Sequence, residues 1–257
     1  MAAFNAIPYD FFGRQEVLTI YFFIGRMNPP HGGHEAALRQ LMEKAMAESS
    51  IPLILVGSGP NKGERTLDNP LTFENKQRVL NYRLSGSLCE IRQMSEPVRN
   101  VMEWTHEVIR NTVRPAKVVF KLVTGDKDDN STKLDWIHKS LKKGMDALGI
   151  ESESVSIPIK AMKMSGVEMS ATRIRQDALS CFLSGDTSFH SKYSGFYGPH
   201  TENVFGEIVE IAQVLTPEEL HHYAATGEMA KKSKSKAKSQ NKGQNKGPSK
   251  GKTKKNS

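Results

Sequence analysis

The stretch that decides the fold reads GRMNPPHGGHEAAL and runs from Gly25 to Leu38. It follows an apolar run and precedes an amphipathic segment, so we predict a strand, a tight loop and the start of a helix. His31 and His34 lie three residues apart at that start, where free backbone N–H groups and the helix dipole favour an anion. Gly33 lets the backbone approach a ligand closely, and Arg26 adds a planar charge. The stretch therefore predicts a phosphate site.

A structural interpretation of His34 stands beside this functional one. His34 is in phase with Leu38, Leu41 and Ala45 on the predicted helix, so its imidazole would also suit a core position. The context of strand, turn and helix, which both histidines share, favours the phosphate site.

Strand-like and helix-like segments alternate along the chain, which predicts an α/β fold with a doubly wound parallel sheet. The predicted strands are Val17 to Ile24, Ile51 to Val56, Leu88 to Met94, Lys117 to Val123 and Val155 to Ile159. The predicted helices between them are Glu35 to Ala47, Phe73 to Leu84, Val101 to Val113 and Lys133 to Leu148. Because such sheets bind ligands beyond the carboxyl ends of their strands, we expect the site in the loops there.

Beyond these units, the segment SGDTSFHSKYSGFYGP after Leu183 is predicted to be a loop. Two short helices are predicted to follow it, near Glu202 to Gln213 and Pro217 to Ala225.

A second group of hydroxyl and basic side chains lies in the run MSATRIR, Met169 to Arg175. Ser170 and Thr172 begin a predicted helix, so hydroxyls and N–H groups again meet at a positive helix end. Arg175 lies one turn further on. Taken alone, the run is also explained by Ser170 capping the helix, with exposed arginines after it.

Together the two runs resemble the signatures of the His-x-Gly-His nucleotidyltransferase superfamily, whose second signature is usually written Ile-Ser-Ser-Thr-x-Ile-Arg. The residues around the histidines are similar to the nicotinamide-mononucleotide adenylyltransferases, as is the segment Arg65 to Val79. The resemblance implies a Rossmann-like nucleotidyltransferase fold. It also implies an enzyme of NAD biosynthesis that transfers AMP from ATP to nicotinamide mononucleotide, with Mg²⁺ carried on the ATP.

The resemblance further implies a role for each matching residue. His31 and His34 would contact the ATP phosphates, while Arg26 and Arg175 would stabilise the charge that develops during transfer. Further nucleotide contacts would come from Gly25, Gly33, Ser170, Thr172 and Asp126. Contacts with the mononucleotide would come from Ser58, Asn69, Asn100 and Trp104. Two of these assignments have alternatives, since Trp104 also suits a packing position on a helix and Asp126 a solvated acidic turn.

Other functions are compatible with the same residues. The acceptor could instead be nicotinate mononucleotide or phosphopantetheine. A non-catalytic protein that senses nucleotide and presents a basic tail to RNA or a partner is a further alternative. Lys163 to Gly166 imitates a class I aminoacyl-tRNA synthetase motif, but the short chain after Leu183 leaves no room for an anticodon-binding domain.

The net charge of +8 comes from the C-terminal residues. Eleven lysines and no acidic residue lie between Ala230 and Ser257, so the rest of the chain carries a small net negative charge. Like charges without large apolar side chains predict disorder. We therefore divide the chain into a nucleotidyltransferase domain at 15–227 and a tail at 228–257. The tail would make a weak polyanion contact or serve solubility alone.

The remaining composition predicts a soluble protein. No apolar run approaches the roughly 18 residues that span a bilayer, so we expect no membrane insertion. The two cysteines, Cys89 and Cys181, have no neighbours at metal-ligand spacing, so we predict neither a disulfide framework nor a protein metal site. A reducing compartment fits, either the cytoplasm or the nucleus. The sequence does not determine the oligomeric state.

Overall fold

Five parallel strands form one sheet in the computed structural model, which describes residues 16–57, 65–112, 114–125, 131–159 and 170–229. The strands are β1 (Val17–Gly25), β2 (Leu53–Gly57), β3 (Glu90–Met94), β4 (Lys117–Gly125) and β5 (Glu151–Ile159). They lie in the order β3-β2-β1-β4-β5, with β1 paired to β2 on one side and to β4 on the other. The strand order reverses beside β1, so a ligand crevice is expected at the carboxyl ends of β1 and β4.

Helices cover both faces of the sheet because β1 presents apolar side chains on both. These helices are α1 (Gly32–Ala47), α2 (Phe73–Arg83), α3 (Pro97–Arg110) and α4 (Ser131–Asp146). Ile20 and Phe22 enter the core on the α3 and α4 face, and Tyr21 and Phe23 the core on the α1 and α2 face. The predicted α/β class and parallel sheet are confirmed.

Four further helices form a third core in the C-terminal part of the described chain. They are α5 (Ala171–Ser184), α6 (Ser188–Tyr197), α7 (Thr201–Ala212) and α8 (Pro217–Thr226), with a short 3-10 turn over Gly198–His200. Each contributes fully buried side chains, among them Ile174, Tyr197, Ile208 and Tyr223. Met229 packs against the same core, so the packed chain continues to the last described residue.

The prediction of a loop after Leu183 is wrong, because α6 lies within that segment. Phe189, Tyr193 and Tyr197 recur every four residues and are buried in the C-terminal core. Their burial outweighs the low helix propensity of the serine and glycine residues between them.

The element starts that differ most from the prediction are those of β5 and α3. β5 begins at Glu151 rather than Val155, because its backbone pairs with β4 along nine residues although its sequence there is polar. α3 begins at Pro97 rather than Val101, since proline is well accommodated in the first turn of a helix, where no N–H is needed. In both cases the backbone extends the element beyond its apolar residues.

Within the described ranges, no helix combines the length and the apolar character needed to cross a membrane. The lysine-rich segment that we predict to be disordered, 230–257, lies outside the described residues.

Candidate functional site

His31 and His34 cap the N-terminus of α1 with their own side chains. His31 Nδ1 accepts a hydrogen bond from Gly33 N at 3.2 Å, and His34 Nδ1 accepts one from His31 N at 3.3 Å. The two ring centroids are 3.9 Å apart. This is a capping box made of two imidazoles, where Ser or Thr and Glu or Gln are usual. His34 therefore belongs to the helix end and not to the buried stripe that contains Leu38 and Leu41.

Both imidazoles are neutral at physiological pH. Burial lowers the pKa of His31 to about 4. Burial and the neighbouring His31 lower the pKa of His34 to about 3. Since each Nδ1 accepts a hydrogen bond, the ring proton of each histidine lies on Nε2. The helix end thus offers two Nε2–H donors besides its backbone N–H groups, and these together suit an anion.

Glycines keep the carboxyl ends of β1 and β2 closely packed beside this helix end. A Cβ on Gly25 would lie 2.6 Å from Phe23 Cε1, and a Cβ on Gly57 would lie 3.0 Å from Met94 Cε and 3.6 Å from Arg26 Cγ. Arg26 is exposed and makes no hydrogen bond or ion pair with another described residue. Its charge is therefore available to an anion, and its predicted role in stabilising the charge of the transfer stays a prediction.

Arg175 is buried, and protein groups engage all three of its nitrogens. Nε donates to Tyr223 Oη at 2.7 Å, and Nη1 donates to the carbonyl oxygen of Asn28. Nη2 donates to Asp68 Oδ1 at 3.1 Å and to Thr172 Oγ1 at 3.3 Å. The guanidinium thus joins α5 to α8 and to the loop between β1 and α1. Its contact with a phosphate stays a prediction, as does that of Thr172.

Two further contacts position this loop and the start of α5. Tyr197 Oη, at the end of α6, donates to the carbonyl oxygen of Pro30 at 2.8 Å. Ser170 Oγ accepts from Arg173 N at 3.2 Å and so caps α5, in agreement with its structural interpretation. The nucleotide contact predicted for Ser170 stays a prediction.

A buried polar chain, only one member of which the sequence predicted, lies behind the loop. Lys76 Nζ donates to Gly57 O at 2.9 Å and to Asn69 Oδ1 at 3.0 Å, and the same Asn69 oxygen accepts from Asn28 Nδ2. Asn69, predicted to contact the mononucleotide, is thus held inside the protein. The burial of Lys76 could have been predicted from the sequence, because Lys76 lies on the same face of α2 as the buried Val79 and Leu80.

Asn100 and Trp104 lie on α3, apart from this chain of contacts. Asn100 Oδ1 accepts from Ser95 N at 3.0 Å and Glu96 N at 3.3 Å, which ties the two residues before α3 to the first turn of the helix. Trp104 is fully buried in the core beneath the sheet, with the Arg92 guanidinium carbon 5.0 Å from its ring centroid. Trp104 therefore occupies a packing position in the core, which is the second of the two roles predicted for it.

Two of the predicted site residues, Ser58 and Asp126, lie outside the described residues. Among the residues that are described, no three His, Cys, Asp or Glu side chains are grouped so that they could hold a metal ion.

Comparison with known proteins adds little to this geometry. No protein family model matches the chain, and no curated protein matches it. A solved structure described as a macrolide-efflux protein from Streptococcus pneumoniae is similar at 16% identity, with a TM-score of 0.33. The match covers 65% of this chain and 56% of that one, so the chain spans little more than half of that protein's length. A likeness this low carries no argument about fold or function.

Proposed function

We propose that this protein is a nucleotidyltransferase that transfers AMP from ATP to nicotinamide mononucleotide and releases NAD and pyrophosphate. The observation that carries the proposal is the pair of neutral imidazoles at the N-terminus of α1, directly after the central strand. This position joins an anion-binding helix end to the point where the strand order reverses. The resemblance of the loop to the adenylyltransferases supports the same reaction and a Rossmann-like nucleotidyltransferase fold.

In the proposed reaction, a phosphate oxygen of the mononucleotide attacks the α-phosphorus of ATP in line with the leaving group. The new P–O bond forms while the bond to the bridging oxygen breaks, and that oxygen leaves with the electron pair as part of pyrophosphate. His31 and His34 donate from Nε2 to phosphate oxygens, and Arg26 stabilises the growing negative charge. The Mg²⁺ ion is part of the substrate MgATP and is bound by its phosphate oxygens.

The substitution His34→Asn tests the imidazole directly. The Asn oxygen takes the place of Nδ1 and keeps the hydrogen bond from His31 N, but nothing replaces Nε2–H. We expect a melting temperature close to that of the parent and a loss of NAD formation on the order of 100-fold. His222→Asn, on the exposed side of α8, is the matched control and should leave both quantities unchanged. Parent-like NAD formation by His34→Asn would remove the basis of the proposal.

The acceptor is identified by pyrophosphate release from ATP or CTP, with nicotinamide mononucleotide, nicotinate mononucleotide and phosphopantetheine offered in turn. We expect ATP and nicotinamide mononucleotide to give the highest kcat/KM. Release with phosphopantetheine alone, or a preference for CTP, would assign the protein to another branch of the same reaction class.

One observation favours a second candidate function, a nucleotide-binding protein without turnover. Arg175 is engaged by Tyr223, Asn28 and Asp68, so its planar fork faces protein groups rather than an open site. Binding of ATP without pyrophosphate release from any acceptor would support this second function and contradict the first.

A further inference from the structure

Lys76 is the most buried charged side chain beside the proposed site. It is 0% exposed, and its ammonium group donates to two neutral oxygens, Gly57 O and Asn69 Oδ1. The nearest carboxylate that acts on it is Glu207 of α7, whose oxygens accept from Thr72 N and Oγ1. Burial lowers the pKa of Lys76 to about 8, with a smaller contribution in the same direction from the positive charge of Arg26 and an opposing one from Glu207. A buried cation of this kind is costly, which is typical of functional sites.

The ammonium group determines how two neighbouring amides are oriented. An ammonium has only donors, so the Asn69 amide must turn its oxygen and not its nitrogen toward Lys76. The same oxygen lies against the Asn28 amide, which must therefore present its nitrogen. Lys76 thus favours one orientation of the Asn28 amide through Asn69.

The fixed orientation leaves one acceptor unused. Asn28 Oδ1 points away from Asn69, is buried, and receives no hydrogen bond from any residue in the described ranges. An unmade hydrogen bond at a buried acceptor destabilises the protein. Asn28 lies in the loop between Arg26 and His31, and its carbonyl oxygen is held by Arg175. Asn28 is therefore held at its carbonyl oxygen and at its amide nitrogen, and it keeps a buried, unpartnered acceptor in the loop that carries the proposed site.

We propose that Asn28 Oδ1 accepts a hydrogen bond from a neutral donor of the bound substrate, a hydroxyl or an amide N–H, and that Lys76 is the positioning residue that aims it. The inference rests on the proposed function for the identity of the ligands. Two parts of those ligands carry such donors, the ribose hydroxyls of ATP and the carboxamide of nicotinamide mononucleotide. Sites that hydrogen-bond a substrate donor reject analogues that lack it, because the buried acceptor is then left unpaired.

The test measures binding to the full chain by calorimetry, with one ligand present at a time so that no turnover occurs. The matched ligands differ in one donor group. ATP is compared with its 2′-deoxy and 3′-deoxy analogues, and nicotinamide mononucleotide with nicotinate mononucleotide, whose carboxylate replaces the donating carboxamide and adds a negative charge. The parent should bind the donor-bearing member of one pair about 10-fold more tightly. The pair that shows the difference identifies the source of the donor. Equal affinities within every pair would overturn the inference without any variant.

Variants then assign the preference to the two side chains. Asn28→Leu is similar in size and removes the acceptor, so it should abolish the preference while leaving the donor-lacking ligand within about twofold. Lys76→Met removes the cation that orients the Asn69 oxygen and should therefore reduce the preference, and Lys76→Arg should restore it. Equal weakening of both members of the pair by Asn28→Leu, as expected if the acceptor binds only water, would overturn the inference. If Asn28→Leu does not fold, the two Lys76 variants decide by the same comparison.

This design separates the inference from the proposed function. Ligand preference is read from binding alone, so a protein that binds ATP but forms no NAD contradicts the proposed function and still decides the role of Asn28. Normal NAD formation with no ligand preference contradicts the role of Asn28 and leaves the proposed function in place.

Discussion

Arg175→Lys should destabilise the protein far more than the same change at an exposed site. The lysine keeps the positive charge but has one nitrogen at the end of a flexible stem. It cannot replace the hydrogen bonds that Arg175 makes to Tyr223 Oη, Asn28 O and Asp68 Oδ1 at the same time. The loop before α1 and the helix α8 would each lose a connection to α5.

The magnitude follows from the number of bonds lost. A hydrogen bond to a charged group contributes about 1.5–3 kcal/mol, and at least two are lost, so the free energy of unfolding should fall by about 3 kcal/mol. The contact with Asp68 contributes less to the free energy of unfolding than the other hydrogen bonds, since that carboxylate is half exposed. For a folded part of this size, the change corresponds to a melting temperature lower by roughly 6–12 °C.

Arg173→Lys is a matched control, because Arg173 lies on the same helix, is mostly exposed and pairs with Asp177 one turn away. Its free energy of unfolding should change by less than about 0.5 kcal/mol. Denaturant unfolding of both variants and the parent, followed by circular dichroism, measures the difference. If Arg175→Lys were as stable as Arg173→Lys and had lost only affinity for ATP, Arg175 would act on the ligand and our structural account of it would be refuted.

Three further predictions concern the two histidines, two glycines and the tail. Because burial keeps His31 and His34 neutral in the folded state, with pKa values of about 4 and 3, unfolding alone lets them bind protons. Their contribution to the free energy of unfolding is present above pH 6.5 and should fall as the pH drops from 6.5 toward 4. In denaturant titrations, the variant with Asn at both positions should show a flatter dependence of the free energy of unfolding on pH. Gly206→Ala lies in the middle of α7, where the new Cβ meets no atom within 4 Å, and it should raise the free energy of unfolding by about 0.5–1 kcal/mol. Gly198→Ala should lower it by more than 1 kcal/mol, because the φ of Gly198 is +53° and the new Cβ would lie 2.5 Å from Tyr82. Equal melting temperatures of the two variants would contradict this. A chain that ends at Met229 should keep NAD formation within about twofold and lose salt-sensitive binding to RNA, which filter binding at two salt concentrations would detect.

Apolar periodicity was enough to predict the sheet and most of the helices on its two faces. The central strand β1 is apolar on both sides, and only a strand covered by helices on both faces requires this. The helix α6 escaped prediction because serine and glycine, whose propensities favour a loop, lie between its three buried aromatic residues. The spacing of Phe189, Tyr193 and Tyr197 was the available signal.

The candidate site was predictable where its chemistry is local. Two histidines, a glycine and a strand end lie within ten residues, so the helix N-terminus could be predicted from spacing alone. The partners of Arg175 could not, because Tyr223, Asp68 and Asn28 are 48, 107 and 147 positions away. Asn100 shows the opposite case, since its partners Ser95 and Glu96 are close in sequence, and its contact with the mononucleotide stays a prediction.

The contacts of the loop between β1 and α1 also bear on how the protein is made. The ribosome delivers this loop early, yet Asn28 and Pro30 receive their donors from residues 147 and 167 positions later in the chain. A nascent chain that has produced only the first strands therefore contains the histidines but not the donors that hold their loop. We expect translation to reach α6 before the loop takes its final conformation, so that the proposed site forms only after α6 has been made.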